Sequence, residues 1–245
     1  MPIHSFAVVE TENIGERVTI GEFAIVRAGA RLGNDVVIHP HVVIEAGVVI
    51  QDGVEIFPGA YIGKEPKGAG ALARPLQFER RVVIGAHSSI NPHAVIYYDV
   101  EIGDHSLIGD GASIREQCCI GSRCVIGRHV TINYNVTIGD RTKVMDHAWL
   151  AGNMVIGNDV FISGGVLTTN DNAIGREGYH EGMIVGPTIE DGVLIGVGAL
   201  LLPSVVIGRG AILGAGSVVT KDVAAESVVM GVPARFVRRV ENTEL

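Results

Sequence analysis

Isoleucine, leucine or valine returns every sixth residue over most of the chain, and no other feature narrows the fold so far. The register runs from Ile14, Ile20 and Val26 to Ile62, resumes at Ile84 and holds through Ile162, then runs again from Ile189 to Val219. Four residues after each aliphatic comes a small or β-branched residue, as at Val18, Ala24, Ala30, Ser106, Ala112, Cys118 and Cys124. A period of six is a multiple of the strand period and does not fit the helical one. Each hexad therefore predicts a short flat strand and a tight turn, with the large aliphatic inward and the small residue in a narrow corner. Such a unit cannot bury its own core, so successive units must stack.

Composition agrees with one continuous solenoid domain over residues 1–245. The chain has 33 glycines, 19% charged residues and only 5% aromatics, as a thin prism requires. Cys118 and Cys124 fall in the small inward slot and read as core fillers, not as ligands or a redox pair. The hydrophobic residues are interrupted too regularly for a membrane span, and no signal peptide is visible, so a cytoplasmic protein is expected. A formal net charge of −8 argues against nucleic acid as the main partner.

The register breaks twice. Ile62 and Ile84 are 22 residues apart, one coil of three hexads plus four, and Ile162 and Ile189 are 27 apart, one coil plus nine. Insertions leave a solenoid only as loops outside the stack, often on the binding face, so loops are expected at about 63–82 and 165–188. The first carries Lys64, Lys67, Arg74, Arg80 and Arg81 against Glu65 and Glu79. A cationic loop on an anionic protein suits a phosphorylated ligand. The second holds Thr169-Asn170-Asp171 and then His180-Glu181; an Asx-turn at Asn170 or Asp171 is an alternative to an active-site role there.

The hexad pattern resembles the hexapeptide-repeat acyltransferases, which fold as left-handed parallel β-helices. The implied fold is all-β, with about ten coils, two extruded loops and a C-terminal cap over about 222–245 that includes a short helix. Thr169-Asn170-Asp171, Ile96 through Gly103 and Ile114-Arg115-Glu116 are similar to the branch that acylates nucleotide-linked amino sugars. Gly214 through Val223 and Gly231-Val232-Pro233-Ala234-Arg235 are similar to the family's closing coil. The resemblance implies a homotrimer with active sites between subunits and acetyl-CoA as co-substrate along the C-terminal coils, near Gly198, Ala199, Gly214, Gly216, Lys221 and Arg235. It implies a dTDP- or UDP-linked amino sugar as acceptor, with Tyr134 joining the basic first loop in holding it.

Residues 18 apart stack when three hexads make a coil. His129 and His147 are so related, with His93 two coils earlier, and His87 and His105 form a second pair. An outward histidine column is a candidate general base, and His147, His129, Asp171 and Asn170 are the catalytic candidates. Two branches of the family use a catalytic histidine five residues before the glycine of an Ile-Gly pair. Counted from Ile156-Gly157, that position holds Gly152. A hydroxyl acceptor needs base assistance, typically worth about 10²–10⁴ in rate, whereas a neutral amine needs less, so the departure favours an amine. An O-acetyltransferase of a small hydroxylated substrate and an acyl-carrier-protein-dependent sugar acyltransferase are the alternatives. The metal enzyme of γ-carbonic anhydrase type needs histidines five apart; the fifth residue after His129 is Tyr134, after His105 Asp110 and after His147 Gly152, so no metal is expected.

Overall fold

The fold is that of a computed structural model, which describes residues 3–70, 74–178, 180 and 182–241. Each hexad forms a strand of two to four residues, and strands three hexads apart pair in parallel. The chain winds as a left-handed parallel β-helix with three flat faces. Face 1 has twelve strands, face 2 eleven and face 3 nine. The stack is slightly longer than the periodicity predicts, because the ends pair despite weaker register: Val8–Val9 joins face 2, and Ser227–Met230 joins face 1.

The inward aliphatics are buried in columns, for example Ile90, Ile108, Ile126 and Val144 on face 1, each fully shielded from solvent. The small slots lie behind them. Ala24, Ala30 and Ala112 are buried, as are Cys118 and Cys124, while Cys119 points outward. Burial raises the Cys118 thiol to about 12, so it stays an uncharged core group.

Three corners join the faces, and at each the second turn residue takes a left-handed conformation, as at Asp35, His147 and Asn153. The corner from face 3 to face 1 is laced between coils. The N–H groups of Ser122, Asp140 and Asn158 each donate, at 2.8 Å, to a side-chain oxygen one coil on, from Asp140, Asn158 and Asp191. Arg141 pairs there with Asp159 at 2.7 Å. Such bonds satisfy turn amides that lie outside the strand ladders.

Both insertions leave at the corner from face 2 to face 3, the first between Tyr61–Lys64 and Val82–Ile84, the second between Leu167–Thr168 and Thr188–Ile189. The second begins later than expected. Thr168, fully buried, takes the aliphatic slot six residues after Ile162, and its hydroxyl accepts from the Ala151 N–H at 2.8 Å. The register thus survives one hexad more, hidden by a polar residue.

The expected C-terminal helix is absent among the described residues; residues 242–245 of the expected cap lie outside them. Ser227–Met230 and Arg235–Arg239 form an antiparallel hairpin on the edge of face 1. The β-branched Val228, Val229 and Val237 favour a strand, Gly231 supplies the turn at φ +100°, and the strand Ile212–Leu213 offers an edge to extend. No helix of the described residues is long and apolar enough to cross a membrane.

Candidate functional site

Between the inserted loops, the corner from face 2 to face 3 passes through Tyr98-Asp99, Glu116-Gln117, Tyr134-Asn135 and Gly152-Asn153. The first loop is clamped down on it. Tyr98 stacks on Phe78 at 6.2 Å, its hydroxyl donates to the Ala46 carbonyl at 2.9 Å, and the Lys64 ammonium donates to the Tyr97 hydroxyl at 2.8 Å. Arg74 reaches the carboxylate of Glu116, which is completely buried and also receives Arg115 at 3.0 Å. The Arg74 guanidinium lies 3.7 Å over the ring of Tyr134.

The second loop is closed at its neck, where the Val185 N–H donates to the Asn170 carbonyl at 2.9 Å and the Asn153 amide donates to the Ile184 carbonyl at 2.6 Å. Asn170 gives its own amide to the Gly152 carbonyl at 3.1 Å. Asp171 accepts from the N–H groups of Ala173 at 2.7 Å and Gly175 at 2.6 Å. Both of its carboxylate oxygens thus serve an Asx-type turn inside the loop. Glu181 lies outside the described residues, and His180 is exposed.

The loops frame a cavity of about 660 Å³ lined by Arg74, Gln77, Gln117, Tyr134, Asn135 and Asn153, with Ile184 and Val185 from the second loop. Gly152 is buried beside the Tyr134 ring of this lining. A Cβ there would stand 2.7 Å from the Tyr134 ring, so the missing side chain makes room for the tyrosine one coil below. The five-residue offset that leads from Gly157 to Gly152 leads from Gly139 to Tyr134. Both positions are on one column, and the aromatic ring fills it.

The remaining cations of the first loop are largely paired. Arg80 meets Glu65 at 2.9 Å, and Arg81 meets Glu101. Lys67 is exposed without a partner among the described residues. The loop is therefore less cationic towards a ligand than its composition suggests.

His129 and His147 stand on a different corner, from face 1 to face 2, with rings stacked at 5.3 Å and 16°. His129 fits because the preceding coil presents Gly111, where a Cβ would meet the imidazole at 2.6 Å. Beside them Asp146 accepts from the Arg128 guanidinium at 2.9 Å, which holds its carboxyl below the usual range. The same column continues towards the C-terminus as Gly165, Gly198 and Gly216, all left-handed, with no described atom within 4 Å of where a Cβ would be. This bare strip is flanked by exposed apolar side chains, Trp149 beside Leu167 on face 2 and Phe161 beside Leu194 on face 1.

At two of the expected cofactor positions the side-chain site faces the stack. Ala199 turns its methyl into the core, fully buried, so its side chain touches no surface ligand. Gly214 lies under the next coil, where a Cβ would meet Met230 at 2.7 Å; its missing side chain serves coil packing. Lys221 and Arg235 do converge, on a cavity of about 430 Å³ at the C-terminal end that also involves Val219, Val229 and Phe236. Among the described residues no three His, Cys, Asp or Glu side chains gather in a group able to hold a metal ion.

Comparison with known proteins gives two family matches. The bacterial transferase hexapeptide (six repeats) matches residues 13–46, 29–64 and 186–221, and the GMPPB C-terminal domain matches residues 78–177. The chain is 39% identical over 89 residues to serine acetyltransferase of Buchnera aphidicola, covering 34% of this chain and 32% of that protein. It is 40% identical over 83 residues to the 2,3,4,5-tetrahydropyridine-2,6-dicarboxylate N-acetyltransferase of Staphylococcus aureus, covering 31% of this chain and 35% of that one. The chain thus spans about a third of the length of these curated relatives. Among solved structures, an Arabidopsis UDP-N-acetylglucosamine acyltransferase superposes with a TM-score of 0.60 at 20% identity, over 98% of this chain and 72% of that one. A UDP-N-acetylglucosamine O-acyltransferase of Moraxella catarrhalis gives 0.52 at 20% identity, over 98% and 76%. These two likenesses are of fold.

Proposed function

We propose that this hexapeptide-repeat protein is a coenzyme-A-dependent N-acyltransferase, with acetyl as the acyl group, acting on the amine of a dTDP- or UDP-linked amino sugar. The observation that carries the proposal is that the two register breaks, about a hundred residues apart, emerge at one corner and enclose one polar cavity. A solenoid has no structural need for either loop, and small-molecule sites are concave, with a few convergent polar groups. Both curated relatives are named as acetyltransferases.

In this reading the acceptor sugar occupies the cavity, held by Arg74, Tyr134 and the amides of the floor, with Lys64, Lys67, Arg80 and Arg81 at the outer edge near the nucleotide phosphates. Asn170 and Asp171 fix the loop that orients the sugar. The pantetheine arm lies along Gly165, Gly198 and Gly216, where backbone can be approached closely, and Lys221 and Arg235 take the phosphates of the coenzyme. Cavity and strip stand on different corners, so a second copy must bring its strip to the first copy's cavity. A threefold ring of parallel prisms does this with one repeated contact, and the apolar side chains beside the strip suit burial there.

The amine nitrogen attacks the thioester carbonyl carbon, a C–N bond forms, the C–S bond breaks, and the proton lost by nitrogen ends on the departing thiolate. Backbone N–H groups at a corner stabilise the oxyanion, and His147 or His129, brought by the neighbour, relays the proton. Among the described residues no histidine of the same subunit lines the cavity, and an amine acceptor asks less of a base supplied from outside it.

The test is release of free thiol from acetyl-CoA with a panel of dTDP- and UDP-linked amino sugars and their hydroxyl-only counterparts. Turnover confined to the amino sugars is expected; turnover confined to the hydroxyl sugars overturns the acceptor. The O-acetyltransferase reading is favoured by the serine acetyltransferase match, and the same panel separates the two. His147→Ala and His129→Ala sort the base: the true base loses about two to four decades in kcat, while a positioning residue mainly raises KM.

A further inference from the structure

We infer that the cavity between the loops selects a polyhydroxylated ligand carrying one oxyanion group close to its sugar ring. This rests on the acceptor role proposed above for the same cavity and names what the acceptor must carry.

Charge is the first ground. Glu116 is completely buried and bracketed by the guanidiniums of Arg74 and Arg115, so the trio holds one positive charge in excess. Among the described residues no carboxylate lines the cavity itself. The second ground is an unused set of donors. The Arg74 side chain is only 9% exposed, and its one hydrogen bond runs from Nη2 to Glu116. Nε and Nη1 have no partner, yet among the described residues no buried side-chain nitrogen goes unpaired. Those nitrogens therefore keep some accessible surface, on a side chain that lines the cavity. Held by an ion pair on one side and the Tyr134 ring on the other, the guanidinium is preorganised to grip a carboxylate or phosphate.

The third ground is the rest of the lining. Gln77, Gln117, Asn135 and Asn153 are amides; Asn135 donates to Asn153 at 2.8 Å and Asn153 to the Ile184 carbonyl, which leaves the two glutamines and the Asn135 carbonyl to offer donors and acceptors that match ring hydroxyls and discriminate against an apolar ligand. A volume of about 660 Å³ accommodates a sugar ring with its charged substituent.

A ring carboxylate and a glycosyl phosphate share this chemistry. The full-length protein is titrated with glucuronate, glucose 1-phosphate and glucose, read by ligand-observed NMR. At least one anion is expected to bind tenfold or more tightly than glucose. Binding of glucuronate alone assigns the oxyanion to the ring, of glucose 1-phosphate alone to the anomeric position, and of both to the shared chemistry. Arg74→Gln is expected to weaken the anion by roughly 10- to 100-fold, the worth of a charged hydrogen-bonded grip, and glucose by much less. Arg74→Lys keeps the charge without the fork and falls between; its melting curve guards against a collapsed loop. Glucose binding as tightly as both anions, neither anion binding, or an Arg74→Gln protein that binds them normally overturns the inference. Anion binding without thiol release on the amino-sugar panel sinks the acyltransferase proposal and not this one. Thiol release that ignores ligand charge does the reverse.

Discussion

Two corners of the prism use the same left-handed turn and do opposite things with it. Between face 3 and face 1, side chains bond to side chains or amides one coil away: Arg17 to Asp35, Arg141 to Asp159, and Ser122 to Asp140. His87 stacks on His105 at 5.1 Å in the same column. Between face 2 and face 3 the decisive contacts ignore that spacing. Glu116 is met by Arg74, 42 residues before it, the Tyr98 hydroxyl reaches 52 residues back to Ala46, and Asn153 reaches 31 residues forward to Ile184. In a repeat protein, contacts at the coil spacing hold the stack together. Contacts that skip it mark where the chain has been held out of the stack, and here they surround the polar cavity between the loops.

The comparison breaks most sharply at Glu116. Glu116→Ala leaves two guanidiniums facing each other with little solvent, and a loss of about 3–5 kcal/mol in unfolding free energy is expected, measured by urea denaturation. A loss under about 1 kcal/mol would mean that the trio behaves as a surface pair and the loop is not clamped. Gly198→Val comes next. The side chain meets no described atom, but a β-branched residue at φ +67° is strained by about 1–3 kcal/mol. Steady-state kinetics should show a raised KM for the acyl donor and an unchanged KM for the acceptor. Asp140→Ala, on the laced corner, removes one charged acceptor from the Ser122 amide. It should cost about 1 kcal/mol and leave acyl transfer intact; lost activity there would erase the division of labour between corners.

The stack was legible because nearly every inward position obeys one rule, down to Cys118 and Cys124. The pairing of His129 with His147 followed from the same 18-residue arithmetic. Thr168 was not legible as a core residue, since a threonine in an aliphatic slot looks like the end of a run, and that disguised the shared corner of the two loops. The Glu116 trio was invisible for a different reason. Ion pairing between a loop and a coil depends on how the loop folds back, and the cationic look of the first loop hid how many of its charges are satisfied by Glu65, Glu101 and Glu116. Thr169-Asn170-Asp171 stands where the second loop leaves the stack, and both oxygens of Asp171 are engaged by backbone, which the motif alone did not reveal. The C-terminal hairpin follows from an edge strand that had no counterpart in the periodic pattern.

The smallest expected effect separates the corners by pH. Asp35 and Asp159 on the laced corner are held below the usual carboxylate range by hydrogen bonds from Arg17 and Arg141. A depressed folded pKa means stability that is fully present above the ordinary value near 3.8 and lost as pH falls through the lower folded one. Asp99, on the cavity corner, is shifted up, first by desolvation. Its ionised form burdens the folded state, so stability is gained as pH falls through the raised value towards 3.8. The two corners therefore titrate with opposite signs. Melting temperature followed downward from neutral pH should rise slightly or hold level, then fall below about pH 4. Asp99→Asn should remove the early rise, and Asp159→Asn should soften the later fall; both arms are small, because the paired aspartates of the laced corner are exposed and screened. A melting temperature that declines steadily from neutral pH, unchanged by either substitution, would mean that neither corner's carboxylates are tuned as their neighbours require.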